Sequence, residues 1–227
     1  MKVDLHSHTR THSDGKLSCE ELVRAAIDAG LDGIVITDHY YVLTDAEREL
    51  LRERFAPFRV FRGVELSIAR DDVVVMGGGV TEGRVAGPIP YPRHANDTSP
   101  LAFGGHAWGK GSTAGVWLEV AAFARRTGAL TILAHPFHKA SHVTIDLDAA
   151  APDAIEVASP NTPPRHRDRI ERLAARYDMA MVSASDAHDA SDLGRYYVEL
   201  DDSVATEDDL AREVRAGRFT VSASSLV

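Results

Sequence analysis

Residues 4–15, DLHSHTRTHSDG, hold three histidines and two aspartates: Asp4, His6, His8, His12 and Asp14. His6 and His8 are two apart, and alternate residues of an extended strand project to one side, so both imidazoles can enter one pocket. SDAH repeats that spacing with Asp186 and His188, and between the two segments lie Asp38 and His39 in TDH, Glu65 in GVE and His135 in AHP. A single histidine is usually a surface or satisfied core residue, and an aspartate after a strand is commonly a turn or cap residue. The joint pattern has no such local explanation. Burying these groups together without a partner costs on the order of several kcal/mol each, and bound cations remove that cost. Imidazole and carboxylate without thiolate suit Zn, Mn or Fe.

The elements that must position these residues alternate in type. SCEELVRAAIDAG predicts a helix with Ser18 as N-cap, Glu21 completing a capping box and Gly30 as the stop. Further helices are predicted through TDAERELLRERF, through GVWLEVAAFARRTG, after NTPPRHRDRI and near TEDDLAREVRAG. Between them GIVITDH, FRVFRGVEL, DDVVVMGGG, ALTILAHP, DAIEV and MAMVSASDAH read as strands rich in β-branched residues. Alternating strands and helices predict an α/β fold with a parallel sheet, closed or doubly wound. In a parallel barrel the C-terminal ends of the strands converge on one face, and the candidate residues all fall at such ends. Residues 81–114 break the rhythm, with Gly, Pro, Asn, Thr and Ser and little periodicity, and read as a long irregular loop.

Bulk properties narrow the function classes. The 227 residues and 44% hydrophobic content fit one domain, taken as residues 1–227, with one large core. A formal net charge of -9 argues against an extended nucleic-acid surface, which needs a positive face. Cys19 is the single cysteine, so no intrachain disulfide can form. No apolar run approaches the ~20 residues that span a bilayer, and the start MKVDLHSH turns polar at once. A cytoplasmic protein without a membrane partner is expected, and the oligomeric state is left open.

DLHSHTRTHSDG, GLDGIVITDH, RGVELS, LAHPF and SDAHDASDLGRYYVEL, in this order, resemble the motifs of the polymerase and histidinol phosphatase (PHP) superfamily. The resemblance runs the length of the chain. It implies a distorted (β/α)7 barrel with two or three divalent transition-metal ions at the C-terminal ends of the strands. It further implies that His6, His8, Glu65 and Asp186 hold one metal. Glu65 would bridge to a second metal also held by His135, and Asp14, His39 and His188 would hold a third. Asp4 fits the family's DLH opening, either orienting a ligand histidine or serving as a strand-entry charge. One departure stands out. Many family members carry a further metal-binding histidine on the strand after the glutamate, whereas here DDVVVMGGG has none. Of His94 and His106, the histidines between Glu65 and His135, His106 is the better substitute, as a ligand or a substrate contact.

The resemblance implies a metal-dependent phosphoesterase, a hydrolase acting on a small phosphorylated metabolite or nucleotide. Glu65 is expected as the bridge, and Asp186 or His188 as the group that moves a proton. Arg10, His138, Lys139, Arg165 and Arg195 lie near motif loops and are candidates for anion contacts. The loop 81–114, with Arg84, Arg93, His94, His106, Trp108 and Lys110, is expected to cover the pocket and select the substrate. Two alternatives remain. One is a non-catalytic accessory domain of the kind attached to bacterial DNA polymerases; the other is hydrolysis of an amide or carboxylic ester, because an activated water can also attack a carbonyl.

Overall fold

The structure is a computed structural model and describes residues 1–80, 82–84 and 113–222. The chain begins with β1 (Lys2–Asp4), α1 (Cys19–Asp28), β2 (Gly33–Ile36), β3 (Tyr41–Val42) and α2 (Asp45–Phe55). Next come β4 (Arg59–Ile68), β5 (Asp71–Met76) and β6 (Gly83–Arg84). The second half carries α3 (Thr113–Thr127), β7 (Leu130–Ala134), β8 (Ala154–Ala158), α4 (Arg167–Tyr177) and β9 (Ala180–Ser183). It ends with β10 (Val198–Glu199), α5 (Glu207–Arg215) and β11 (Thr220–Val221). Helix α1 is held as its sequence dictates: Ser18 and Glu21 form the reciprocal capping box, and Gly30 at φ 79 follows the C-cap.

The main sheet runs β11-β10-β1-β2-β4-β5-β7-β8-β9. It curls until its ends meet. Ser7 bridges Ala187 in parallel, the His8 N–H donates to the Ala187 carbonyl at 2.8 Å, and the Ala187 N–H donates to the His6 carbonyl at 3.3 Å. The strands from β1 to β9 thus make a nearly closed barrel of the distorted (β/α) kind. Asp4 fastens the seam, its Oδ1 accepting from the backbone N–H of Ser185 at 2.9 Å and of His6 at 3.3 Å.

Strand alternation sorts the core into an inside and an outside. Val35, Phe61, Val74, Met76, Ile132, Ala154 and Val182 share the inner cluster, which Leu210, Ala211 and Val214 of α5 also join. Val64, Leu66, Val73, Val75, Leu133 and Ile155 face α3 and α4, while Ile34, Ile36 and Val60 face α1 and α2. Glu65, Asp72 and Glu156 have the parity of inner residues: Glu65 matches Phe61, Asp72 matches Val74 and Met76, and Glu156 matches Ala154.

Two expectations need correction. The sheet is not parallel throughout, because β5 runs antiparallel to both β4 and β7. Only Ala69 and Arg70 connect β4 to β5, and so short a connection permits only a hairpin; Ala69 takes the left-handed conformation at φ 59. Glu65 also lies inside β4, which continues to Ile68, rather than at its end. The hairpin has a consequence for the site. Since β5 is reversed, its first residues lie at the end of the barrel where the parallel strands finish.

Candidate metal centre

The eight sequence-selected residues meet at that end. His6 Nε2 and His8 Nε2 are 3.0 Å apart. Glu65 Oε1 lies 3.4 Å from His6 Nε2, and Glu65 Oε2 lies 3.2 Å from His8 Nε2. Asp186 Oδ1 sits 3.3 and 3.1 Å from the same two nitrogens. His135 Nε2 is 3.2 Å from Glu65 Oε1, and His39 Nδ1 is 3.1 Å from Glu65 Oε2. Farther out, Asp14 Oδ1 is 3.3 Å from His188 Nε2 and 3.9 Å from both His8 Nδ1 and His39 Nε2.

Donor atoms within 4.8 Å of one another define three groups among the described residues: His6, His8, Glu65 and Asp186; His8, Asp14 and His188; and Glu65, Asp72 and His135. The first is the set implied by the resemblance. The second contains His8 where His39 was expected, with His39 standing between Glu65 and Asp14. The third adds Asp72, a residue that no motif singled out.

Hydrogen bonding tests whether cations fit. His6 Nδ1 lies 2.8 Å from Glu156 Oε1, and His188 Nδ1 lies 2.8 Å from the Asp186 carbonyl oxygen. Each acceptor takes the Nδ1 proton, so the Nε2 of a neutral ring is a lone pair. Those lone pairs would point at carboxylate oxygens, a repulsive arrangement unless a proton or a cation lies between them. Without a cation, protons must serve. Burial pulls the His8 pKa down, but the adjacent Asp186 and Glu65 carboxylates outweigh it and push the value up to about 10. Against the same burial, Glu65 holds His135 up at about 9. Burial would raise Asp186 and Glu65, yet the surrounding imidazoles keep both below the usual carboxylate range. Asp186 Oδ1 is buried without a hydrogen bond despite its two neighbouring nitrogens. Nitrogen and carboxylate donors around an unsatisfied oxygen fit divalent transition metals.

Residues outside the motifs hold this set in place. Glu156 of β8 reaches His6 with Oε1 and accepts the His135 backbone N–H with Oε2 at 2.7 Å. Asn161 donates to Asp186 Oδ2 at 2.6 Å. Asp38 accepts both the N–H and the hydroxyl of Thr9, at 2.5 and 2.7 Å, so it braces the segment behind His8. His135 and Asp186 themselves have positive φ, 25° and 49°, as does Tyr40 beside His39 at 55°. Such backbone costs about 1–3 kcal/mol per residue, and its clustering here is typical of functional sites.

A cavity of about 290 Å³ opens over the cluster, with His138, Lys139 and Asn161 at its rim. Of the anion-contact candidates, His138 and Lys139 line it. Arg10 is turned away and pairs with Glu21 at 2.9 Å; Arg165 and Arg195 are exposed and are not among its described lining residues. His12 is structural, stacked on Tyr41 with centroids 3.7 Å apart and 2.7 Å from Glu47 Oε1. His94, His106 and most of the expected covering loop lie outside the described residues.

Comparison with known proteins points the same way. The PHP-associated family model matches residues 164–219. The DNA polymerase/3'-5' exonuclease PolX of Bacillus subtilis is 36% identical over 84 residues, 31% of this chain but 15% of that protein. A Bifidobacterium adolescentis structure assigned as a metal-dependent phosphoesterase superposes with a TM-score of 0.57 at 20% identity, covering 94% of this chain and 95% of that one. A two-domain Bacteroides vulgatus protein, assigned as containing a PHP-like metal-dependent phosphoesterase, gives a TM-score of 0.63 at 16% identity, over 98% of this chain and 64% of that one. The chain thus shares its nearly closed barrel with these solved structures, and its segment 164–219 matches the PHP-associated family.

Proposed function

We propose that the chain is a metal-dependent phosphoesterase acting on a small phosphorylated metabolite or nucleotide. The observation that carries this reading is the facing pair of imidazole nitrogens, His6 and His8, ringed by the Glu65 and Asp186 carboxylates beneath a small cavity with an ammonium at its rim. Cations bound there would acidify a water and withdraw charge from phosphoryl oxygens. Glu65 offers one oxygen to each of two donor groups, which suits it to bridging. His188 is about one-third exposed, and its Nδ1 is fixed by a carbonyl, which turns Nε2 toward Asp14 as a donor for a cation. The cavity lies near the small end of ligand pockets, in keeping with a compact ester.

The test is a panel of phosphomonoesters, dinucleotides and amides offered to the metal-loaded chain. Phosphoester turnover is expected, falling by about a hundredfold or more in Glu65→Gln while the fold persists. Amide cleavage without phosphoester turnover would place the chain among carbonyl hydrolases. Full metal loading with no turnover of any class would favour the accessory role.

A further inference from the structure

Asp72 already has a cation on it. Lys139 Nζ lies 2.5 Å from Asp72 Oδ2, the carboxylate being 1% exposed and the lysine side chain 44%. Ser67 Oγ donates to the other oxygen at 2.6 Å. His135 Nδ1 is 3.8 Å away, too far for Asp72 to hold that ring by a hydrogen bond.

The lysine is brought there by its backbone. Arg70 donates to the Lys139 carbonyl oxygen from Nε at 3.1 Å and Nη2 at 2.6 Å. Asp71 Oδ2 accepts from Thr144 N and Oγ1, at 2.5 and 2.6 Å, and from Ile145 N at 2.9 Å. The tip of the β4–β5 hairpin therefore grips residues 139–145 independently of the Lys139 side chain. A buried carboxylate requires a positive partner. An ammonium on a half-exposed stem can supply one and still withdraw to water.

We propose that Lys139 is the placeholder for a divalent cation at the Glu65, Asp72 and His135 position. The entering cation takes the Asp72 carboxylate and displaces the ammonium, so Asp72 serves where β5 lacks a histidine. The inference rests on the metal-centre reading above. Lys139 competes at this position, its ammonium paired with Asp72, so this position holds its ion more weakly than the His6, His8, Glu65 and Asp186 group does.

The experiment strips the full chain with chelator and titrates it with Mn²⁺ by calorimetry. Wild type is compared with Lys139→Met, Asp72→Ala and the double variant. Lys139→Met should tighten the weakest ion by roughly tenfold or more and leave the others unchanged. Asp72→Ala should remove that ion from the stoichiometry, and Lys139→Met should then have no further effect. Unchanged affinity in Lys139→Met overturns the proposal. So does an Asp72→Ala protein that keeps the ion at reduced affinity, since Asp72 would then support His135 rather than bind metal. The Lys139→Met result stands even if Asp72→Ala fails to fold, because the lysine stem is half-exposed. Wild type that binds no Mn²⁺ overturns the metal centre itself, whereas tight ions without a Lys139 effect overturn this inference alone.

Discussion

At the residue scale, the site depends on groups that fix imidazole orientation as much as on those that would touch metal. Glu156 holds the His6 ring and the His135 backbone at once, so Glu156→Ala should weaken Mn²⁺ binding about ten- to a hundredfold, with Glu156→Gln recovering part of the loss. Unchanged affinity in calorimetry would contradict that role. The raised imidazole pKa values give a second prediction. In the metal-free chain His8, at about 10, and His135, at about 9, are protonated at pH 7, and metal ligation must expel those protons. His6, held up by the Asp186, Glu65 and Glu156 carboxylates, adds to them, so titrations in buffers of different ionisation enthalpy should show release of at least about two protons per loaded chain. For the stability of the metal-free chain the sign is fixed by the upward shift. The contribution of these histidines is full below the unfolded value of about 6.5 and is lost as pH rises through 9 to 10. Its melting temperature should therefore fall between pH 8 and 10, and a flat profile would contradict the paired imidazoles.

At the element scale, several motif segments are legible because a candidate ligand follows a strand whose β-branched run is visible in the sequence. His39, His135 and Asp186 stand out in that way, and His6 and His8 by their two-residue spacing. Asp72 and Glu156 do not, for different reasons. Asp72 is the second residue of β5, and expecting a parallel sheet directs attention to the far end of that strand; the two-residue Ala69–Arg70 link lacks the glycine or asparagine that usually signals a hairpin. The alternation of Asp72 with Val74 and Met76 was the available clue. Glu156 lies inside DAIEV, where a lone charge looks like an outward residue until its inward partners are known. Loop packing matters equally. A Cβ on Gly15 would stand 2.3 Å from the His8 carbonyl oxygen, so Gly15→Ala must push the turn bearing Asp14 away from the strand. The expected loss is about 1–3 kcal/mol in urea denaturation together with weaker metal binding, and wild-type values for both would contradict this close fit.

At the scale of the whole molecule, the barrel brings residues as distant in sequence as His6 and His188 to one mouth, while α5 packs with the inner core. Its seam closes through the same segments that carry ligands, at Ser7 and Ala187, so occupancy of the site and integrity of the barrel should be linked. Removing metal should lower the calorimetric melting temperature by about 5 °C or more, reversibly on adding Mn²⁺. Similar solved structures share the fold, and among the described residues no helix is long and apolar enough to cross a membrane. What the molecule turns over depends on the claim that its clustered imidazoles and carboxylates are a metal centre. Elemental analysis of protein never exposed to chelator tests that claim most directly. The three donor groups predict about two or more transition-metal ions per chain, and a content below about one per chain would contradict it.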